Sequence, residues 1–301
     1  MKAVRMHGYG GVDQLRYEDV PAPTAELGEV LVRVAATSVN PIDLKIRRGD
    51  FRGIQTLEFP VIPGRDVAGE VAAIGAGVSN FKPGQTVMAV TIHSYAELVV
   101  VPSADLALVP NGLELQHAGA LPLVTTTGAS LIDHVGPQSG QTVLVTGALG
   151  GVGRTAVYVA KQRGAHVIAG VREHQKAQAQ GLGADQVIAI DSDAEIHSLQ
   201  DLDAIADTVG GDVLGKLITK LKRGGVLASV LGTPKAAAGR AIRIEAFSVQ
   251  PNPTALSRLA QAVRRGHLSI PVAKTFRLSE ADAAQKLVED GKAGGKVVLI
   301  P

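Results

Sequence analysis

The stretch TVLVTGALGGVGRTAVYVAK, residues 142–161, sets four glycines within seven residues, between a β-branched run and an apolar pattern of helical spacing. A strand through Thr146 and a helix opening near Gly153 leave Gly147 to Val152 as the turn between them. A helix N-terminus presents unpaired N–H groups and the positive end of its dipole, which together suit a phosphate. Side chains in that turn would block an anion, so Gly150 and Gly151 have a steric reason, and Gly153 lets the helix pack closely on its strand. Against G-x-G-x-x-G the best register is Ala148-Leu149-Gly150-Gly151-Val152-Gly153, with alanine in the first position. Alone, such a turn is also plain punctuation. Its surroundings decide.

Those surroundings alternate. HVIAGV (166–171), QVIAI (186–190), DAIADTVG (203–210) and VLASVLG (226–232) read as further strands. Helical patterns run through 118–136, EHQKAQAQGLGA (173–184), GKLITKLKRGG (215–225) and TALSRLAQAVRRG (254–266). Parallel strands joined by crossover helices make a doubly wound α/β sheet of Rossmann type. In that setting Gly150, Gly151, Val152 and Gly153 are expected to cradle a dinucleotide's pyrophosphate. Carboxyl ends of parallel strands are where ligands bind, which adds Val209 with Gly210, and Leu231 with Gly232, at the ends of the fourth and fifth strands. The first hundred residues differ. AVRM (3–6), GEVLVRVAATSVN (28–40), RDVAGEVAAIG (65–75) and QTVMAV (85–90) predict an antiparallel barrel or sandwich. The β-like C-terminal end, GKVVLIP, completes that first domain. The expected division is 1–117 with 268–301, and 118–267.

Composition narrows the function classes. At 301 residues the chain suits two domains, and with 46% hydrophobic but only 3% aromatic residues its cores must be aliphatic. The net charge of +2 is spread out, and the cluster Lys45 to Arg48 with Arg52 is too small for a nucleic-acid footprint. The absence of cysteine removes disulfides, thiolate zinc sites and a cysteine nucleophile. The N-terminus lacks a hydrophobic signal core and no run of eighteen apolar residues occurs, so a cytoplasmic protein without membrane contact is expected.

The second Rossmann strand selects the dinucleotide. An NAD site places a carboxylate at its end, to accept from the ribose 2′-hydroxyl. Here the strand is followed by Arg172, with Lys176 a turn later, and two cations fit the 2′-phosphate of NADPH. Glu173 leaves a second reading open, since a small backbone shift would aim it at the ribose.

Several ordered motifs resemble one family. VNPIDLKIRRG (39–49), PGRDVAGEV (63–71), SYAELVVVP (94–102), LPLVTTTGAS (121–130), the glycine loop and the terminal GKVVLIP are similar to those of the medium-chain dehydrogenase/reductase superfamily. Within it the chain resembles the zinc-free quinone oxidoreductase branch, zeta-crystallin-like and oxoene reductase-like. The resemblance implies a GroES-like catalytic domain built from both chain ends around a central Rossmann domain. It also implies a homodimer paired through a sheet edge, for which AIRIEAF (241–247) is a candidate. Zinc-dependent relatives carry Gly-His-Glu where Gly64-Arg65-Asp66 stands here, and the eight histidines show no ligand-like spacing, so no metal is expected. The implied reaction is hydride transfer from NADPH to a quinone or an α,β-unsaturated carbonyl.

The same resemblance places Asn40 and Lys45 at the nicotinamide end, with Lys45 beside the cofactor ribose and the substrate, where its charge would stabilise an enolate oxygen. A solvated helix face beside Arg47 and Arg48 is the alternative for Lys45. Thr125 is expected to line the cofactor or to cap a helix, and Lys296 to approach the cofactor. Tyr95 reads as a packing residue. Two rivals remain: an enoyl-thioester reductase, and a protein that binds NADPH without turnover.

Overall fold

The computed structural model describes residues 1–53, 56–245 and 247–301. It divides into two compact units, 1–123 with 251–301, and 124–250. The first boundary lies past the expected 117/118 and the second before the expected 267/268. The helix at 253–264 packs on the short strand at 107–108, and so belongs to the first unit.

In chain order the first unit opens with β1 (Lys2–Met6), β2 (Leu15–Asp19), β3 (Glu29–Val39), α1 (Pro41–Arg48) and β4 (Asp66–Ile74). β5 (Thr86–Val90), β6 (Leu98–Pro102), β7 (Ala107–Leu108) and α2 (Leu115–Ala118) follow. The middle of the chain holds α3 (Pro122–Val135), β8 (Thr142–Thr146), α4 (Gly151–Gln162), β9 (His166–Val171), α5 (Lys176–Ala179) and β10 (Gln186–Ala189). It continues with α6 (Asp193–Ser198), β11 (Leu202–Asp207), α7 (Gly211–Ile218), β12 (Leu221–Ser229) and β13 (Arg243–Glu245). The chain closes with α8 (Pro253–Arg264), β14 (Val272–Arg277), α9 (Ala281–Glu289) and β15 (Lys296–Ile300).

In the first unit the described strands run β14-β15-β3-β4-β5-β7, with β6 added on β3. Alternate valines of β3, β4, β5 and β6 (Val30, Val32, Val67, Val71, Val87, Val99, Val101) form one buried cluster, as a period of two dictates. The last strand, β15, pairs antiparallel with β3, Val298 opposite Ser38. β15 thus joins the sheet begun by β3.

In the second unit the order is β10-β9-β8-β11-β12-β13, every pairing parallel. Numbered from β8 this is 3-2-1-4-5-6, the doubly wound arrangement. β8 is buried from Val143 to Thr146, as a central strand covered on both faces must be. β13 is the outer edge. Of the expected edge segment 241–247, Ala246 lies outside the described residues.

Four local expectations change. α4 opens at Gly151 rather than near Gly153. In 173–184 only Lys176–Ala179 is α-helical, between two 3-10 turns, and Gly183 at φ 76° stops it. α7 ends at Ile218, because the Lys220 carbonyl accepts from the Leu202 N–H (2.8 Å) and draws the chain into β12. α9 forms where no helix was read from the sequence. Among the described residues no helix is long and apolar enough to cross a membrane.

α9 fixes α1. Arg47 of α1 is 1% exposed and donates from Nε to Gln285 Oε1 (2.8 Å), from Nη1 to the Gly10 carbonyl (2.7 Å) and from Nη2 to Glu289 Oε2 (3.0 Å). Removing the guanidinium strands a buried amide and a carbonyl. Arg47→Met is expected to cost about 2–4 kcal/mol of unfolding free energy, read as a lower urea midpoint at unchanged m-value.

Candidate functional site

Each unit carries its own polar centre. In the second unit β8 ends at Thr146, and Gly147 turns the chain at φ 60°, a left-handed conformation in which other residues are strained. Gly150 is the N-cap of α4 and offers no side chain to its first turn, which also contains no carboxylate. The first-turn N–H groups of Gly151, Val152 and Gly153 are therefore left for an anion. A Cβ on Gly153 would collide with the Gly147 carbonyl and the Ala148 backbone, so helix and turn meet at a distance only glycine allows. Gly151 lies against Val124 of α3, one residue from the buried Thr125. This cradle fits a dinucleotide's pyrophosphate.

Asp207, the last residue of β11, escaped the sequence reading. Its buried carboxylate accepts from Thr146 Oγ1 (2.8 Å), Ser229 Oγ (2.7 Å), the Val209 N–H (3.1 Å) and the Gly210 N–H (3.0 Å). It ties the ends of β8, β11 and β12 together. A carboxylate closing the apolar run LDAIAD was the available signal. Val209, Gly210, Leu231 and Gly232 lie just beyond the strand ends, not in the last strand positions expected, with Val209 43% and Leu231 46% exposed. Arg154, also missed, braces the loop by donating from Nε to the Leu149 carbonyl (2.9 Å).

The two cations expected at the 2′-phosphate differ. Arg172 is exposed just past β9. Lys176 donates to Glu195 Oε1 (2.6 Å) and lies 3.9 Å from Glu173, and these bonds raise its pKa. The backbone N–H of Glu173 is held by Asp191 (2.8 Å).

In the first unit Asn40 is the N-cap of α1, Pro41 follows, and Asp43 reaches back to the Asn40 N–H (2.9 Å). The Asn40 amide turns into the core and is 1% exposed. Its Nδ2 donates to Asp66 Oδ2 (2.7 Å) and to the Ser38 carbonyl (3.2 Å), and its Oδ1 accepts from Lys296 Nζ (2.6 Å). Lys296, 8% exposed, also donates to the Val39 carbonyl (3.3 Å) and lies 3.5 Å from Asp66. Asp66 further accepts from Ser38 Oγ and, through Oδ1, from the Leu123 N–H in the first turn of α3 (2.6 Å). Tyr95 is fully buried and donates its hydroxyl to Asp43 Oδ2 (3.2 Å). Sequence reasoning singled out Asn40 and Lys296 separately; that they touch, with Asp66 between them, was not seen.

Lys45 is placed differently. Of the cations in the last turn of α1, Arg47 pairs with Glu289, and Arg48 pairs with Asp50 (3.0 Å) and Glu289 (3.3 Å). Lys45 is half-buried, and its ammonium has no partner among the described residues.

Burial shifts this cluster. The Asp43 carboxyl is pushed up to about 7, chiefly by loss of solvent, against the pull of the Asn40 N–H and with the Asp66 charge adding to the rise. Burial lowers Lys296, opposed by Asp66 and Asp43, and holds the Tyr95 phenol well above its ordinary range.

Residues 26–111 match the family described as alcohol dehydrogenase GroES-like domain, and residues 182–299 the one described as zinc-binding dehydrogenase. Over its whole length the chain is 33% identical to a chloroplastic quinone oxidoreductase of Triphysaria versicolor, covering 98% of it. It is 31% identical to a chloroplastic NADPH-dependent alkenal/one oxidoreductase of Arabidopsis thaliana, covering all of this chain and 80% of that one. The solved quinone oxidoreductase of Coxiella burnetii superposes with a TM-score of 0.89 at 30% identity, covering 100% of this chain and 99% of that one.

The Asp43 shift has a direction in pH. An acid raised by folding keeps its proton where the unfolded chain has lost it, so its contribution is full below the ordinary carboxylate range and disappears as pH rises through about 7. Unfolding free energies measured at steps from pH 4 to pH 8 should therefore show a downward component that Asp43→Asn, which keeps the acceptor and cannot ionise, removes.

Proposed function

The chain belongs to the medium-chain dehydrogenase/reductase superfamily, in its quinone oxidoreductase branch, and from that premise we propose that it is an NADPH-dependent, zinc-independent reductase of quinones and α,β-unsaturated carbonyls. The observation that carries the reading is the N-terminus of α4, without a side-chain cap or a carboxylate, at the end of the first strand of a doubly wound sheet. Gly150, Gly151, Val152 and Gly153 hold the pyrophosphate there, Thr125 lines the cofactor, and the loops of Val209, Gly210, Leu231 and Gly232 bound it from β11 and β12. Arg172 meets the 2′-phosphate, with Lys176 as a lesser partner because Glu195 already engages it. When bound, the reduced nicotinamide supplies the hydride. Lys45, the cation of α1 that no described carboxylate neutralises, holds the oxygen on which negative charge grows as the acceptor is reduced.

Asn40 serves that end by placing α1, since both ends of its amide are engaged within the unit. Tyr95, its hydroxyl committed to Asp43, serves packing rather than protonation. Zinc independence is supported by the donor set: the chain has no cysteine, and among the described residues no three His, Asp or Glu side chains converge. The proposal includes a homodimer, favoured by the outer position of β13, and a cytoplasmic location, which rests on the sequence alone.

Oxidation of NADPH and of NADH by the purified protein, each with 1,4-naphthoquinone and with a short 2-alkenal, tests the reading. Turnover is expected with NADPH, and Lys45→Ala should lower kcat/KM about a hundredfold. Arg172→Gln should weaken the preference for NADPH over NADH about tenfold. Tight NADPH binding without turnover on any acceptor would overturn the reductase.

A further inference from the structure

Lys296 was expected to meet the cofactor, yet both of its hydrogen bonds run inward, to Asn40 Oδ1 and to the Val39 carbonyl, beside Asp66. An amide has a donor end and an acceptor end, and here each faces its opposite: Nδ2 a carboxylate, Oδ1 an ammonium. A flipped Asn40 would point its NH2 at the ammonium and its carbonyl at the carboxylate, so the pair permits one orientation only. Asn40 is the N-cap of α1, its backbone N–H is held by Asp43 of the first turn, and Lys45 follows five residues on in the same helix. We propose that Asp66 and Lys296 are positioning residues that act through Asn40 to set α1 and the Lys45 ammonium, and that Lys296 does not contact the dinucleotide. This deepens the reductase reading and rests on it for the role of Lys45.

Four variants test the assignment: Lys296→Met, Asp66→Asn, the double variant Asp66→Asn/Lys296→Met, and Lys296→Arg. Each single neutralisation strands the other charge in the core and should lower Tm, whereas the double variant strands none and should recover most of that loss. Its Asn40 amide keeps the Ser38 carbonyl but loses both charged partners and is oriented less firmly, so kcat with 1,4-naphthoquinone should stay about tenfold or more below wild type, while the Kd for NADPH changes less than about threefold. Recovery of both Tm and kcat in the double variant would reduce the pair to a stabilising contact and overturn the proposal. A loss of NADPH affinity of about tenfold or more would overturn it in the other direction, by making Lys296 a cofactor contact.

Lys296→Arg keeps a charge beside Asp66 and is the decisive variant if the uncharged ones do not fold. It too should lower kcat while leaving NADPH affinity in place, and the reverse pattern refutes the assignment. Hydrogen exchange of the α1 amides separates failure here from failure of the reductase reading. If the wild type reduces no acceptor, faster exchange at Ile42 to Leu44 in the folded variants still upholds the positioning role, and unchanged exchange ends it.

Discussion

One buried carboxylate organises the first unit. Asp66 has no exposed surface, and a charge removed from water must be met by donors from the protein itself. Those donors come from four elements: Ser38 in β3, Asn40 at the start of α1, Leu123 at the start of α3 and Lys296 in β15. Each of these elements must arrive for the carboxylate to be satisfied. The requirement links parts of the chain more than two hundred residues apart. It also explains why a C-terminal strand is needed to complete a sheet begun near the N-terminus.

The second unit uses the same device with neutral donors. Asp207 collects two hydroxyls and two backbone N–H groups, and so pins the strand ends that border the glycine loop. The contrast lies in where carboxylates are kept away. Asp207 is satisfied by Thr146, Ser229 and its own loop, while the first turn of α4 contains no acid and no side-chain cap. A carboxylate in that turn would occupy the helix N-terminus that an anionic ligand needs. The unit thus separates the charge that holds it together from the charge it is shaped to receive.

How far this was legible depended on the range of the contacts involved. The glycine loop, the strand and helix beside it and the βα alternation are local signals, and they pointed to the doubly wound parallel sheet, though not to its strand order. α9 was not seen because its buried face carries Ala281, Ala284 and Gln285, which are too weakly apolar to stand out as a helical stripe. The end of α7 was misread because LKRGG looks helical until Leu202, on a neighbouring strand, takes the Lys220 carbonyl. Lys296 on Asn40 is a contact across 256 residues, and no periodicity can report it. Resemblance identified both residues as important, but it was silent on their being important to each other.

The same distinction separates cations that build the fold from those left over. Arg47, Arg48, Lys176 and Lys296 look alike in sequence to Lys45 and Arg172, yet each of the first four meets a carboxylate of this chain. Glu289 alone spans both arginines of α1, and among the described residues Lys45 is the charge of that helix without a counterpart. Two neutralised cations and one bare one, on a helix anchored at its first residue by Asn40 and in its last turn by Arg47, make a rigid mount for a single positive charge. That arrangement supports the role proposed for Lys45, since a cation not already engaged by a described carboxylate is available to a developing oxyanion.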